Sequence, residues 1–167
     1  MINFLYWLLD KLAYFKVTQN HFDAKLPVKA DSGSAGYDIF SIEHREIPQG
    51  ERQLVNTGIS VEIPRAFYLR CAPRSGLSCK GIDVGAGVID SSYRGDIKVL
   101  VINNSSETFI VNRGDKIAQL IMERCANVQP VNVLKLSETE RGSGSFGSTD
   151  KTPEYNEHKV DEEFEMY

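Results

Sequence analysis

Short β-branched and aromatic runs, separated by Pro, Gly, Asn and Asp, fill the sequence from about residue 17 to residue 136. This stretch has little sustained helical periodicity. Runs that are this short and this numerous are typical of a sandwich or a jelly roll, in which the apolar faces of two sheets cover each other. The sequence therefore predicts an all-β fold, a single-domain jelly roll or β-sandwich.

Turn residues set the bounds of the predicted strands. Residues 52–63 partly alternate polar and apolar side chains between turns that contain Pro48 and Pro64. Residues 115–124 have mixed propensity and could also form a helix, so the strand interpretation there rests on the family resemblance described below. Further strands are predicted at residues 66–71, 97–103, 109–111, 117–124 and 131–136.

Length and charge restrict the classes of protein that fit the chain. Its 167 residues, 41% hydrophobic and 25% charged, suit one soluble globular domain. A formal net charge of −4 argues against a general binder of nucleic-acid polymers, which needs a basic face for the backbone phosphates. A small phosphorylated ligand is still compatible, since a few clustered Arg and Lys residues suffice to bind it.

The cysteines and histidines indicate neither disulfides nor zinc. Cys71, Cys79 and Cys125 are odd in number, contain no Cys-x-x-Cys pair and accompany no secretory signal, which favours a reducing compartment. The histidines have no His or Cys partner at metal-ligand spacing. We therefore expect an intracellular protein, in the cytoplasm or the nucleus, and a viral origin is compatible with the sequence.

Both ends of the chain differ in composition from the predicted β domain, residues 16–136. Residues 1–15 are an apolar extension with leucines at helical spacing, too short for a transmembrane span. A short amphipathic helix packed on its own protein is favoured there over one that binds a membrane surface or a partner. Residues 137–150 form a Gly/Ser-rich flexible arm, and residues 151–167 form an acidic tail that we expect to be disordered.

One carboxylate and one aromatic ring come together in the run GVIDSSYRG, residues 87–95. Asp90 follows the apolar pair Val88-Ile89 and precedes a turn, which predicts a carboxylate at the end of a β-hairpin. Such a group can orient and partly deprotonate a water molecule. A lone Asp here is more often a simple turn residue. Tyr93 changes that balance, because a ring beside a sugar leaves no room for an extra hydroxyl.

Other segments carry groups suited to a nucleotide. Residues 74–76 combine a guanidinium group, a hydroxyl and a residue without Cβ, so that backbone N–H groups can approach an anion, although a turn with a surface Arg explains them equally well. Asp38 lies in an apolar run, where an unpaired carboxylate is costly and a partner Arg is the simplest explanation. Residues 81–87 have few polar side chains and many accessible backbone groups, which suits the edge of a base. Residues 141–147 alone would pass for a linker.

Five segments, in this order, resemble the motif set of the homotrimeric dUTPases: AGYDIFS (35–41), PRSGLS (73–78), GVIDSSYRG (87–95), RGDKIAQLI (113–121) and RGSGSFGS (141–148). The resemblance implies a jelly-roll trimer whose active sites are shared between subunits. It implies hydrolysis of dUTP to dUMP and pyrophosphate with Mg²⁺, by attack on the α-phosphorus, which keeps uracil out of DNA and supplies dUMP for thymidylate synthesis. The N-terminal extension and the acidic tail lie outside the resemblance.

The resemblance also implies a role for each candidate site residue. Asp90 is the catalytic residue that orients the attacking water, Tyr93 excludes ribose and Phe146 stacks on uracil. Asp38 is expected near the metal-bound triphosphate, as an outer-shell ligand through water. Phosphate binding is implied for Arg74, Ser75, Gly76, Gln119, Arg141, Ser145 and Gly147. Base or sugar contacts are implied for Gly87, Val88, Ile89, Asp90, Tyr93, Lys98 and Phe146.

The chain departs from the family pattern at two points. Ser92 stands where many members have Asp, and the link at residues 78–82 looks one residue short. Both departures concern the local hydrogen bonding of the hairpin and the affinity for the base rather than the reaction.

Two alternative functions follow from the same residues. A dCTP deaminase of the same superfamily would need a Glu on the strand after the hairpin, and residues 97–103 contain none. A non-catalytic nucleotide-binding or signalling module is the second alternative. The intact Asp90, Arg141 and Phe146 argue against it.

Overall fold

A computed structural model describes residues 15–126 and 128–145 of the chain. Every pair of neighbouring strands within these residues is antiparallel. This confirms the predicted all-β fold class. The elements are β1 (Lys16–Gln19), β2 (Tyr37–Phe40), β3 (Arg45–Ile47), β4 (Arg52–Asn56), β5 (Ile59–Glu62), β6 (Phe67–Ala72), a helical turn α1 (Ser75–Ser78), β7 (Ile82–Gly85), β8 (Val88–Ile89), β9 (Lys98–Asn103), β10 (Phe109–Val111) and β11 (Lys116–Arg124).

Two larger sheets and two strand pairs make up the fold. Strands β2, β11, β6 and β8 form a four-stranded sheet in this order, and β4, β9 and β7 form a three-stranded sheet. In addition, β1 pairs with β5, and β10 pairs with β3. From β2 onward, consecutive strands lie in different sheets, so the chain crosses repeatedly between layers, as it does in a jelly roll.

Aliphatic side chains from both larger sheets form the core together with Ile47, Ile59, Val61 and Val111 of the two strand pairs. Strand β9 alternates buried residues with more exposed ones, and its Val99 and Val101 face inward. Ile39, Leu69 and Leu120 of the four-stranded sheet are fully buried as well. Burying a side chain of this kind contributes about 1.5–3 kcal/mol, so a slip by one residue would be costly and the register of each strand is fixed.

The structure resolves the choice between helix and strand at residues 115–124. Strand β11 pairs with β2 along one edge and with β6 along the other. Ile117 and Ala118 are both buried, although neighbours in a regular strand face opposite sides. The register shifts between Lys116 and Ala118, which is the mark of a β-bulge and explains the mixed pattern in the sequence.

Residues 52–63 form two strands rather than the single strand that the alternation predicts. The chain turns at Gly58, whose φ of +66° suits a residue without Cβ. A Cβ at this position would also lie 2.9 Å from the Cβ of His21. After the turn, β4 and β5 belong to different sheets.

The chain divides into two units, one that ends at Val128 and one that begins at Gln129. Residues 131–136 belong to the second unit and form no strand, so the strand predicted there is wrong. Among the described residues of this unit, 129–145, there is no strand with which they could pair. Their apolar side chains Val131, Val133, Leu134 and Leu136 are exposed.

The predicted hairpin around Asp90 also differs from the observed arrangement. Strands β7 and β9 do pair with each other, but β8 lies between them in the chain and pairs with β6 in the other sheet. Asp90 and Tyr93 therefore lie in a long connection and not at a tight hairpin end. Gly87 permits the crossing, because a Cβ there would lie 2.4 Å from the carbonyl oxygen of Cys71.

Three predictions concern residues outside the described ranges: a helix within residues 1–14, the end of the arm at residues 146–150, and the acidic tail at 151–167. Phe15, the first described residue, packs edge-on against Tyr37 with ring centroids 5.2 Å apart. In the described part of the chain, no helix has the length and the apolar character needed to cross a membrane.

Candidate active site

Asp38, Arg74 and Lys116 form a charged cluster at one end of the four-stranded sheet. Asp38 lies on β2, Arg74 follows the end of β6, and Lys116 begins β11. The Nε of Arg74 donates to Asp38 Oδ1 at 2.8 Å, and Lys116 Nζ lies 2.8 Å from Asp38 Oδ2. The Nη1 of Arg74 also donates to the carbonyl oxygen of Lys116 at 3.4 Å. One carboxylate therefore holds two cations side by side.

The carboxylate of Asp38 is held in its ionised form. Burial raises its pKa, but the hydrogen bonds and the charges of Lys116 and Arg74 outweigh this effect and leave the pKa below its ordinary value. Arg74 is the arginine partner that the sequence suggested for this buried carboxylate. Lys116 is a second partner that sequence reasoning missed. Its position at the start of the strand next to β2 becomes informative once the pairing of β11 with β2 is known.

Gln119 lies beside this cluster, opposite Asp38 in the neighbouring strand. Its Nε2 donates to the carbonyl oxygen of Pro73 at 2.8 Å. Gly36 makes room for the side chain, because a Cβ at Gly36 would lie 2.3 Å from Gln119 Oε1. The amide is thus fixed next to the loop that carries Arg74.

The helical turn α1 begins directly after Arg74. The N–H groups of Leu77 and Ser78 each donate to the carbonyl oxygen of Arg74 at 2.9 Å. Ser75 and Gly76 are exposed, and a Cβ at Gly76 would meet no atom within 4 Å. This segment is open to an approaching anion, and its hydroxyl and backbone N–H groups are suitable donors for phosphate oxygens.

A second group of predicted residues lines a cavity of about 210 Å³ next to the connection from β8 to β9. Five of its eight lining residues are predicted site residues, Ala86 lies in the segment 81–87 that the sequence assigns to the base, and Asp96 and Ile97 were missed. Gly87, also a predicted site residue, brings β8 against β6 through the N–H of Cys71, which donates to its carbonyl oxygen at 2.7 Å. The predicted residues that line the cavity are Val88, Ile89, Asp90, Tyr93 and Lys98.

The Tyr93 ring is held in place although 46% of the residue is exposed. Its hydroxyl donates to the carbonyl oxygen of Asp96 at 3.1 Å, and its backbone N–H donates to that of Asp90 at 3.1 Å. Gly95 lies against the ring, since a Cβ there would be 2.5 Å from Tyr93 Oη. Asp90 is exposed, and it also borders a larger open cavity of about 890 Å³.

The charged cluster and Asp90 lie at different levels of strand β6. Through β11, Asp38 stands level with Ala72 at the end of β6. Strand β8 pairs with Leu69 and Arg70 in the middle of β6, and this register, continued one residue past the end of β8, places Asp90 level with Tyr68. The positions of Ala72 and Tyr68 are about 13 Å apart along the strand. The three strand spacings from β2 to β8 add about 14 Å across the sheet. Within one chain, Asp38 and Asp90 are therefore roughly 20 Å apart.

The arm residues belong to the second unit. Arg141 and Ser145 are exposed, and the Nε of Arg141 donates to the carbonyl oxygen of Gly144 at 3.1 Å. Phe146 and Gly147 lie outside the described residues. The roles of all four therefore stay predictions.

The described residues contain no group of three or more His, Cys, Asp or Glu side chains that could enclose a metal ion. Mg²⁺ usually keeps several waters and binds one or two carboxylates together with substrate phosphates, so a protein cage is not required. Asp38 fits an outer-shell role in such a site. Each of its oxygens has one cation partner and can accept a further hydrogen bond from a metal-bound water.

Comparison with known proteins identifies relatives that match most of the length of this chain. A model of the dUTPase family matches residues 23–150. The deoxyuridine 5'-triphosphate nucleotidohydrolases of cowpox virus and vaccinia virus (strain Copenhagen) are each 53% identical to this chain over 126 residues, which is 75% of this chain and 86% of each relative.

Solved structures agree with this result. A variant of the Staphylococcus bacteriophage 80alpha dUTPase with dUpNHpp has a TM-score of 0.73 at 26% identity, and the match covers 81% of this chain and 97% of that chain. A variant of the dUTPase from phage phi11 of S. aureus, whose structure describes the coordination of a structural Mg(II) ion, has a TM-score of 0.70 at 24% identity. That second match covers 75% of this chain and 99% of the phage chain and concerns the fold.

The matched region contains every segment that carries the charged cluster and the cavity, as well as the arm. The family model, the relatives and the shared fold lead to one conclusion: this chain belongs to the dUTPase family.

Proposed function

We propose that this protein is a dUTP diphosphatase, which hydrolyses dUTP to dUMP and pyrophosphate. The observation that carries the proposal is the 53% identity to deoxyuridine 5'-triphosphate nucleotidohydrolases over three quarters of the chain. The charged cluster suits a triphosphate, and the cavity beside Tyr93 suits a nucleoside. A dCTP deaminase is disfavoured, since residues 97–103 offer no Glu to activate water against a base.

In this proposal the charged cluster binds the phosphates. Arg74 and Lys116 compensate their negative charge, and the Gln119 amide and the exposed Ser75-Gly76 segment donate hydrogen bonds. Asp38 supports this role indirectly, because it fixes both cations before the substrate arrives. Donors that are fixed in advance stabilise the charge of a phosphoryl-transfer transition state without further reorganisation.

Asp90 is proposed to orient the attacking water. Its carboxylate accepts a hydrogen bond from the water and directs the oxygen lone pair at the α-phosphorus. The new bond joins this oxygen to the α-phosphorus, the bond to the bridging oxygen breaks, and pyrophosphate leaves. The proton of the water passes to the Asp90 carboxylate and from there to solvent.

The cavity of about 210 Å³ is proposed to hold the base and the deoxyribose. Backbone groups of residues 87–89 and the backbone near Lys98 would pair with uracil, and the Tyr93 ring would fill the space of a 2′-hydroxyl. From the arm, Phe146 would stack on the base, while Arg141, Ser145 and Gly147 would cover the triphosphate and keep bulk water out.

Mg²⁺ is proposed as the cofactor, held chiefly by the substrate phosphates, with Asp38 reaching its hydration shell. When bound, the ion neutralises phosphate charge and eases the departure of pyrophosphate. The protein side of this arrangement is supported by the two remaining acceptor positions on Asp38.

The distance between the two groups supports a homotrimer with shared active sites. A carboxylate that orients water must lie within about one water molecule of the phosphorus, whereas one chain separates Asp38 and Asp90 by roughly 20 Å. A second copy could supply its Asp90 side to the charged cluster of the first. A head-to-tail contact of this kind closes into a ring when the rotation between copies allows it. The open cavity of about 890 Å³ beside Asp90 offers surface for such docking.

Removal of dUTP would keep uracil out of DNA and supply dUMP for thymidylate synthesis. The cowpox and vaccinia relatives support a viral origin of this chain. Cys71, Cys79 and Cys125 are free thiols, which supports a reducing compartment, the cytoplasm or the nucleus of a cell.

The test is pyrophosphate release from the purified chain with Mg²⁺, compared for dUTP, UTP, dCTP and dTTP. We expect a kcat/KM for dUTP at least about 100-fold above that of the other nucleotides. Asp90→Asn should lower kcat by about 100-fold or more, while a non-hydrolysable dUTP analogue still binds. Release from none of the nucleotides by a folded trimeric sample would favour the binding module, and ammonia release from dCTP would favour the deaminase.

A further inference from the structure

Asp96 connects the Tyr93 ring to a strand pair outside the cavity. The main-chain oxygen of Asp96 accepts the hydrogen bond of the Tyr93 hydroxyl at 3.1 Å. Its side-chain Oδ1 accepts hydrogen bonds from the Nδ2 of Asn20 and, at 3.2 Å, from the Oγ of Ser60. Asn20 directly follows β1, and Ser60 lies on β5, the partner strand of β1. Both the main-chain oxygen and the side chain of Asp96 therefore have hydrogen-bond partners.

The backbone on either side of Tyr93 is fixed by further hydrogen bonds. After Asp96, the N–H of Ile97 donates to Ile59 O at 2.8 Å, and the carbonyl oxygen of Ile97 accepts from Thr57 Oγ1 at 2.6 Å. Before Asp96, the Nη1 of Arg94 donates to the carbonyl oxygens of Ser91 and Tyr93, both at 2.8 Å. These hydrogen bonds fix the backbone before and after Asp96, and the Asp96 side chain attaches the connection to Asn20 and Ser60.

The Tyr93 ring needs such an anchor. A ring can exclude a hydroxyl group only if it cannot swing away, and this ring is 46% exposed, so core packing does not immobilise it. Its fixed contacts are Gly95 beneath it and the hydrogen bond from its hydroxyl to Asp96. The position of that acceptor depends in turn on the Asn20 and Ser60 side chains.

We propose that Asp96, anchored by Asn20 and Ser60, is a positioning residue for sugar discrimination, which holds the Tyr93 ring against the 2′ position of the nucleotide. This inference rests on the proposed function, because it concerns the same pocket. Asp96 lines the cavity, whereas Asn20 is not among the residues that line it. An effect of Asn20 on the choice of sugar must therefore pass through Asp96.

The experiment measures kcat/KM for dUTP and for UTP, each with Mg²⁺, in the wild-type chain and in the variants Asn20→Ala and Asp96→Ala. We expect the ratio of dUTP to UTP to fall about five- to tenfold in both, because kcat/KM for UTP rises. A merely structural defect would lower both values in parallel. The double variant should resemble Asp96→Ala, since the two residues act through one contact.

Two further variants sharpen the result. Asp96→Asn keeps a side-chain acceptor for Asn20 and should restore the ratio to within about twofold of wild type. Asn104→Ala makes the same substitution at an exposed asparagine that directly follows β9, serves as the matched control and should leave the ratio unchanged. Asn20→Ala carries the test alone if Asp96→Ala does not fold.

The wild-type measurement distinguishes a failure of the proposed function from a failure of the positioning role of Asp96. A wild-type chain without preference for dUTP overturns the proposed function, and this inference with it. A wild-type chain that prefers dUTP, together with unchanged ratios in Asn20→Ala and Asp96→Ala, overturns the positioning role alone.

Discussion

At the scale of single residues, Asp38 combines a structural and a chemical role. It is 8% exposed, and an uncompensated carboxylate at this depth would be costly. Arg74 and Lys116 remove that cost, and in return the carboxylate presents both cations on one side of the sheet. Arg74 and Lys116 are about one third or more exposed at their side chains, so each pair is partly screened by water.

Stability should therefore depend on pH through Asp38. Its pKa in the folded chain lies below the ordinary value of 3.8, so the ion pairs stabilise the fold fully above that value and are lost as the pH falls through the lower pKa. At pH 7, Asp38→Asn should reduce the free energy of unfolding by about 1–2 kcal/mol. The difference from wild type should shrink below pH 4. Urea unfolding at equal chain concentration at pH 7 and pH 3 measures both values.

The exposed Asp83 provides the matched control for this prediction. Its Oδ1 accepts a hydrogen bond from the N–H of the next residue, and Asp83→Asn removes a charge without touching the cluster. A constant difference between wild type and Asp38→Asn across the pH range would show that the ion pairs do not stabilise the folded chain.

At the scale of strands, position along the chain is easier to predict than pairing. Strands β6, β9, β10 and β11 begin and end within one residue of their predicted bounds. The period of two reveals which face of a strand is buried but not which strand lies beside it. Lys116 was missed for this reason, since only the order β2-β11-β6 brings it to Asp38.

Strand β8 is a second example of an element that the sequence pattern does not reveal. It has two residues, Val88–Ile89, too few for a pattern to show, and yet it places Asp90, the next residue, beside the edge of the four-stranded sheet. The predicted pocket residues 88–90 were identified through the family resemblance. Asp96 was missed because its role depends on contacts with Asn20 and Ser60, which are distant in the sequence.

Residues 131–136 yield a prediction at this scale. Their apolar side chains suit a strand, and Leu134 is fully exposed in the isolated chain. We expect the segment to pack against another copy in the proposed trimer, because exposed apolar stretches of this kind are typical of interfaces. Leu134→Asp should then raise the dissociation constant of the trimer by at least about tenfold, since a charge would replace a buried apolar group.

Light scattering after size-exclusion chromatography over a range of concentrations measures this change. Lys135→Asp places the same residue one position further and is the control, since Lys135 forms an exposed ion pair with Glu138. If Leu134→Asp stays trimeric at the concentrations at which Lys135→Asp does, the segment does not contribute to assembly.

At the scale of the whole molecule, the proposed shared site divides one chain into two half-sites. The charged cluster lies at the end of β6, and Asp90 lies level with Tyr68 near its start and beyond the opposite edge strand, so the paired strands keep them apart. No change in a surface loop can remove a separation of roughly 20 Å across paired strands. In the proposed trimer, assembly removes this separation, because a neighbouring copy would present its cavity at the charged cluster of the first.

Shared sites predict that two inactive variants restore each other. Arg74→Ala damages the charged cluster, and Asp90→Asn removes the carboxylate that orients water. Each variant alone should therefore be inactive. After the two chains are unfolded together in equal amounts and refolded, about one site in four should combine an intact Arg74 with an intact Asp90. Pyrophosphate release should therefore return to about a quarter of the wild-type rate. Asp90→Asn mixed with Asp90→Ala, both of which lack the same carboxylate, should stay inactive, and equal inactivity of both mixtures would mean that each site lies within one chain.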